Sequence, residues 1–291
     1  MSKKIAYLGL GTMGRAMARN LVDAGYTVNG FDPAQKARDN ASSFGVEVFS
    51  SAGEAAVNVD VICSSVPRTE HVKETYLSSS GALSTASEGT VCFDFSTISP
   101  EGSCEVAEEA KKRGVIFLDT PVGGSEPQAI TGDLHVMVGG DKNAFEKNKD
   151  VLETLGKTVH YFGENGTALK MKLVANQIFS IFMCAISEGL VLGMKSGLDP
   201  VEMIDYFKTS SHPRVFDLKG DALANKDYTP TFKVDLMKKD LGLVAEMASH
   251  VNMPTNFAAL AWQVFKSTSA LGFGNDDQAA IREFFEKSSG K

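Results

Sequence analysis

Residues 4–32 read KIAYLGLGTMGRAMARNLVDAGYTVNGFD. A short apolar run, KIAYL, meets Gly9, Gly11 and Gly14, with Leu10, Thr12 and Met13 between them. ARNLVDAG then has helical spacing, and YTVNGF is a second strand-like run closed by Asp32 and Pro33. Gly9 allows a tight turn out of the strand, Gly11 lets the backbone approach a pyrophosphate, and Gly14 lets the helix pack on the strand. Phosphates then meet the unpaired N–H groups at the helix amino end. The glycines say little alone. A strand before them, a helix after them and an acid eighteen residues past Gly14 turn them into a dinucleotide site. A carboxylate at Asp32 accepts from both ribose hydroxyls and repels a 2′-phosphate. No arginine follows it closely, since FDPAQKAR offers only Lys36 and Arg38, so NAD is expected rather than NADP.

The rhythm continues through DVICSSVP (60–67), GTVCFDFST (89–97) and GVIFLDTPV (114–122), with helix-like segments between. Such runs indicate an α/β fold with a doubly wound parallel sheet of the Rossmann type. Ligands of these sheets bind beyond the carboxyl ends of the strands. Here those ends carry Val66 and Pro67, Ser96 and Thr97, and the stretch from Pro121 to Ser125. Plain strand-to-helix turns explain SSVP and FSTISP equally well, with Ser99 and Pro100 starting a helix. DTPVGGSEPQAITGDLHVMVGGD (119–141) adds a loop and a further strand. Its Gly123, Gly124 and Ser125 either hold a carboxylate with successive amides or form a simple connection.

The 291 residues, 43% hydrophobic and 22% charged, supply core for one large domain or two ordinary ones. A net charge of −7 argues against a general partner in nucleic acid or anionic membrane. Cys63, Cys92 and Cys184 lie in apolar runs and read as core fillers, and with Cys104 they show no CxxC spacing. A cytoplasmic location follows. Glycines and early arginines spoil a signal-peptide reading of the amino terminus. LVANQIFSIFMCAISEGLVLGM (173–194) has too many polar interruptions for a membrane span and is expected to be a helix buried on most sides. No acidic or histidine cluster at ligand spacing suggests a metal.

From about 165 onward helical spacing dominates, at 167–196, 200–208, 233–250, 256–270 and 276–287. The expected domains are therefore 1–164, dinucleotide-binding, and 165–291, an all-α carboxyl-terminal domain for substrate and oligomerisation, joined by a long helix. GENGTALKMKLVANQ (163–177) opens that helix with two lysines. At about 100° per residue, Lys172 and Asn176 share a face, Ser180 and Ser187 stay within about 80° of Lys172, and Lys170 lies about 160° away. A lysine beside an apolar surface loses some preference for its charged form and suits proton exchange with an alkoxide. Asn176 would orient it or hydrogen-bond the reacting oxygen. The plainer reading is a snorkelling lysine at a domain boundary.

Taken together, IAYLGLGTMG (5–14), SVP (65–67), DFSTISP (94–100), DTPVGGSEPQAITG (119–132), GENGTALKMKLVANQ (163–177) and FKVDLMKKDL (232–241) resemble the β-hydroxyacid dehydrogenases across nearly the whole chain. The resemblance implies NAD-dependent interconversion of a short 3-hydroxy acid and its semialdehyde, of the 3-hydroxyisobutyrate, tartronate semialdehyde/glycerate or succinic semialdehyde/glyoxylate type. It implies Lys172 and Asn176 as the catalytic pair, Ser96 and Thr97 near the nicotinamide, and Lys239 near cofactor and substrate with Phe232 close by. It also implies a homodimer or homotetramer. Two departures stand out: the family's Ser-Gly-Gly is here Gly123-Gly124-Ser125, and Ala168 replaces a usual glycine. SSHPRVF (210–216) is also atypical, either extending a substrate pocket through His212 or Arg214 or forming a surface loop. The rivals are an imine reductase-like enzyme, which Lys172 disfavours, and a non-catalytic nucleotide-binding interaction module.

Overall fold

A computed structural model describes residues 3–209 and 213–290. The chain divides into two compact units, Met1–Lys172 and Leu173–Lys291.

The first unit holds strands β1 (Lys4–Leu8), β2 (Thr27–Phe31), β3 (Glu47–Val48), β4 (Val61–Ser64), β5 (Val91–Asp94), β6 (Ile116–Asp119), β7 (Val122–Gly123), β8 (Leu134–Gly139) and β9 (Gly156–Gly163). Between them run α1 (Thr12–Asp23), α2 (Gln35–Ser42), α3 (Ala52–Ala55), α4 (Thr69–Leu77), α5 (Pro100–Lys111), α6 (Glu126–Thr131), α7 (Lys142–Lys147) and α8 (Lys149–Leu155). The sheet order is β3-β2-β1-β4-β5-β6-β8-β7, with β9 on β8. Strand alternation explains the continuous apolar runs. Ile5, Tyr7, Cys63 and Phe93 face a core completed by α1 and α8, while Ala6, Leu8, Ile62 and Cys92 face one completed by α4 and α5.

The pairings from β3 to β6 are all parallel. Beyond them the sheet changes sense: β8 runs antiparallel to both β6 and β7. Only Thr120 and Pro121 separate β6 from β7, so the two are successive segments of one run, and the chain doubles back through residues 124–133 to lay β8 antiparallel to both. The 119–141 loop therefore contains a short strand and α6, and β9 adds a parallel pairing to β8 that the sequence reading did not include.

The second unit is helical. The long helix α9 (Thr167–Lys195) enters it, followed by α10 (Pro200–Lys208), α11 (Pro213–Asn225), α12 (Val234–His250), α13 (Asn256–Thr268) and α14 (Ile281–Ser288). Its core gathers Leu173, Met183, Ile204, Phe216, Val244 and Phe265. Two expectations change here. Residues 213–216 begin α11 rather than a loop, while Ser210 to His212 and the Arg214 side chain lie outside what is described. Nor is α9 buried on most sides: although long and apolar enough to cross a membrane, only 28% of its most apolar window is buried. Met171, Val174, Ile178 and Phe182 recur at helical spacing along its exposed face.

Candidate active site

The glycine turn is constrained on two sides and open on a third. Gly9 takes φ +91° and donates to the Phe31 carbonyl at 2.8 Å, and a Cβ there would lie 2.3 Å from the Ser65 carbonyl oxygen. A Cβ on Gly14 would sit 1.9 Å from the Gly9 carbonyl oxygen, so only glycine lets α1 approach β1. Gly11, which precedes α1, is different: a Cβ there would meet nothing within 4 Å. Protein packing leaves that space open, which suits a ligand approaching the backbone. The helix ladder starts at the Arg15 N–H to Gly11 bond, so the amides of Thr12, Met13 and Gly14 precede it. No acid lies in this first turn. The cradle fits a dinucleotide pyrophosphate.

Asp32 serves the turn itself. Its Oδ2 accepts the Leu10 N–H and its Oδ1 the Ala34 N–H, both at 2.8 Å. Arg38 is closer than its sequence distance suggested, because α2 folds back and aims the guanidinium at the carbonyl oxygens of Asp32 and Pro33. The arginine that the sequence places six residues after Asp32 thus binds backbone oxygens of the turn.

At the strand ends Val66 is half-buried, Pro67 exposed, Ser96 buried and Thr97 half-buried. The Val66 N–H donates to Ser96 Oγ at 2.9 Å, and Ser96 donates to Asp94 Oδ1 at 2.6 Å. Asp94 was not singled out from sequence. Burial pushes its carboxyl up to about 6 against the opposing hydrogen bonds of Ser96 and Ser64.

Gly123 ends β7 opposite His135, and Gly124 has φ +116°. Ser125 turns inward to its own helix: its N–H and its hydroxyl both reach Gln128 Oε1 at 2.9 Å, forming the cap of α6.

On α9 the two lysines separate. Lys170 is exposed, whereas Lys172 is only 8% exposed. Lys172, Asn176, Ser180 and Ser187 form one buried stripe. The helix is anchored at its start by Asp119, at the end of β6, which accepts the Gly166 N–H at 2.7 Å and the Leu169 N–H at 3.1 Å. Burial raises the Asp119 carboxyl, with those same amides pulling the other way.

In the second unit, Asn176 Nδ2 donates to Asp240 Oδ2 at 2.6 Å. A carboxylate only accepts, so the amide nitrogen must face it and the Asn176 carbonyl oxygen points the other way. Asp240 Oδ1 pairs with Lys239 Nζ at 2.9 Å. Asp240 thus joins two residues read from sequence without having been read itself. A signal existed, because it falls on the buried face of α12 with Val234, Met237, Leu241 and Val244, where an apolar residue belongs. Phe232, just before α12, is held by its N–H to Asp277 Oδ2 at 3.1 Å. Among the described residues no group of three or more His, Cys, Asp and Glu is placed to hold a metal.

Residues 4–163 match the model of the NAD binding domain of 6-phosphogluconate dehydrogenase. Residues 166–285 match that described as NAD-binding of NADP-dependent 3-hydroxyisobutyrate dehydrogenase. The NAD-dependent L-serine dehydrogenase of Pseudomonas aeruginosa is 33% identical over 99% of this chain and 100% of its own. The 2-(hydroxymethyl)glutarate dehydrogenase of Eubacterium barkeri is 33% identical over 99% and 97%. The structure of Mycobacterium tuberculosis 3-hydroxyisobutyrate dehydrogenase with L-serine superposes with TM-score 0.88 at 32% identity, covering 98% of this chain and 99% of that one. With its glycine turn, acid-closed second strand and helical second unit, the chain belongs to the β-hydroxyacid dehydrogenase family of NAD-dependent oxidoreductases.

Proposed function

We propose that the chain oxidises 3-hydroxy acids of the form HOCH2–CH(R)–COO⁻ to the semialdehyde, or runs the reverse reduction. The observation that carries this is the buried stripe: Lys172 is sequestered on α9 one turn from an Asn176 whose amide is locked by Asp240. The substrates named for the relatives, L-serine, 2-(hydroxymethyl)glutarate and 3-hydroxyisobutyrate, all contain this CH2OH–CH–carboxylate unit and differ in R.

In this reading the Gly9–Gly14 turn receives the pyrophosphate and Asp32 the ribose, with Val66, Pro67, Ser96 and Thr97 toward the nicotinamide. NAD held there would supply the hydride acceptor for the carbinol carbon and, in its reduced form, the hydride donor. Lys172 as the neutral amine takes the hydroxyl proton during oxidation, and as the ammonium gives it back during reduction. Asn176 offers a carbonyl oxygen, so it accepts from the amine or the substrate hydroxyl and steadies the donor. The amides of Gly123 and Gly124 bind the carboxylate, and the family resemblance adds Lys239 for the cofactor and Phe232 for the substrate. The apolar stripe Met171, Val174, Ile178 and Phe182 supports self-association as a homodimer or homotetramer. A cytoplasmic location belongs to the same reading.

The test is NAD+ reduction with 3-hydroxyisobutyrate, L-serine, glycerate and 2-(hydroxymethyl)glutarate, alongside NADH oxidation with succinic semialdehyde and glyoxylate. Turnover of at least one HOCH2–CH(R)–COO⁻ acid, lost in Lys172→Ala, is expected. Turnover confined to compounds lacking that unit would refute the substrate class, and an active Lys172→Ala would refute the mechanism.

A further inference from the structure

Asp94 closes β5, and the strand registers set it beside Ser64 of β4 and Asp119 of β6. It is fully buried, yet its two oxygens are used unequally. Oδ1 accepts from Ser64 Oγ at 2.7 Å, from Ser96 Oγ at 2.6 Å and from the Ser96 N–H at 3.2 Å. Oδ2 has no hydrogen-bond partner among the described residues. A buried carboxylate with one bare oxygen is a poor device for stability, because desolvating that oxygen goes uncompensated. What it does supply is direction.

A carboxylate cannot donate, so both serine hydroxyls must point their hydrogens at Oδ1. Ser96 then has only lone pairs left, and one of them accepts the Val66 N–H at 2.9 Å. Ser64, its hydrogen committed, must accept from Tyr76 OH at 2.8 Å. The donors therefore converge on Asp94 from Tyr76 through Ser64 on one side and from the Val66 amide through Ser96 on the other. This ties together the loops leaving β4 and β5, at the sheet edge where doubly wound folds receive their ligands.

We propose that Asp94 is a positioning residue of the dinucleotide site, whose ionised carboxylate orients Ser96 as the acceptor for the Val66 amide and so sets the shape of the two strand-end loops that bind the nicotinamide half. The proposal rests on the NAD-dependent reading above. Protonation at the bare Oδ2 weakens Oδ1 as an acceptor and loosens the relay. The titratable groups interacting with Asp94 are Tyr7 from β1, Tyr76 from α4, Cys92 from β5 itself and Asp119 from β6. Burial keeps the two phenols and the thiol neutral by raising them, which leaves Asp119 as the facing charge. Burial first, then Asp119, favours the protonated acid and places its midpoint at about 6.

The experiment measures NADH affinity by nucleotide fluorescence from pH 5.5 to 8 for wild type, Asp94→Asn and Ser96→Ala. Wild-type Kd should rise several-fold, up to about tenfold, as pH falls through the Asp94 midpoint. Asp94→Asn, neutral throughout, should bind as weakly at pH 8 as wild type does at pH 5.5, with a flat profile and no loss of thermal stability. Ser96→Ala breaks the relay without touching the acid and should weaken binding by about tenfold at pH 8. It decides the matter if Asp94→Asn fails to fold. Wild-type affinity in both variants, or the same pH slope in Asp94→Asn as in wild type, overturns the proposal alone. A wild type that binds no NADH at any pH overturns the NAD-dependent reading and the proposal together.

Discussion

Replacing Asp119 with alanine removes the anchor of α9 and leaves two amide donors, Gly166 and Leu169, without their acceptor. Two hydrogen bonds to a charged group contribute about 3–6 kcal/mol together, at about 1.5–3 each. The carboxylate's own desolvation, visible in its raised carboxyl, offsets part of this. A net loss of about 2–4 kcal/mol is expected, at or somewhat above the upper end of measured helix caps. Trp262, the sole tryptophan, sits in α13 of the second unit, so its fluorescence is the wrong probe for this change. Hydrogen exchange is the right one. Amides at 166–169 should exchange about 30-fold to 1,000-fold faster, the equivalent of that energy at about 1.4 kcal/mol per decade. Lys172 lies one turn further along the helix, so kcat should fall with the protection. Exchange within about threefold of wild type would mean that the first turn of α9 is held by something other than Asp119, and the anchoring argument would fail.

Four further outcomes are expected. Lys172→Ala should lower kcat by about 10²–10⁴-fold while leaving NADH affinity within twofold or so, as read by steady-state kinetics and nucleotide titration. Asp240→Ala frees the Asn176 amide and removes one ion pair of Lys239, so kcat/KM should fall by roughly 10-fold to 100-fold, with Asp240→Asn recovering part of it. At Gly123 a Cβ would make only ordinary contacts, the nearest 3.5 Å from His135 Cβ, so Gly123→Ser should fold normally. Its new hydroxyl should lower KM for small hydroxycarboxylates and raise it for those with bulky R, measured across the substrate panel. The fourth concerns pH and Asp94, whose folded value of about 6 lies above the unfolded value near 3.8. The folded state therefore binds the proton more tightly, and this group's contribution to stability rises as pH falls from about 7 to 4, by roughly 3 kcal/mol in all. Urea midpoints of wild type should show less acid destabilisation over that window than those of Asp94→Asn; parallel profiles would contradict the assignment.

Much of this molecule is written locally. An apolar run, three glycines at fixed spacing and an acid after the next strand specify a turn in which Gly9 supplies a positive φ, Gly14 a close approach and Gly11 an open backbone, so the dinucleotide cradle is legible without coordinates. Helical periodicity likewise separates Lys172 from Lys170, because a rotation of about 100° per residue is a property of the chain itself. The tertiary structure decided what depends on partners distant in sequence. That α9 shows an apolar face to its surroundings and that the Val66 amide is held by Ser96 follow from packing rather than from pattern, whereas the Ser125–Gln128 cap of α6 is a local capping box. The three buried acids show the same division: Asp94, Asp119 and Asp240 were each visible as letters, but their roles as acceptors are set by donors 1 to 64 residues away. A buried carboxylate acquires its function from whichever N–H and O–H groups the fold aims at it, and sequence spacing does not carry that direction.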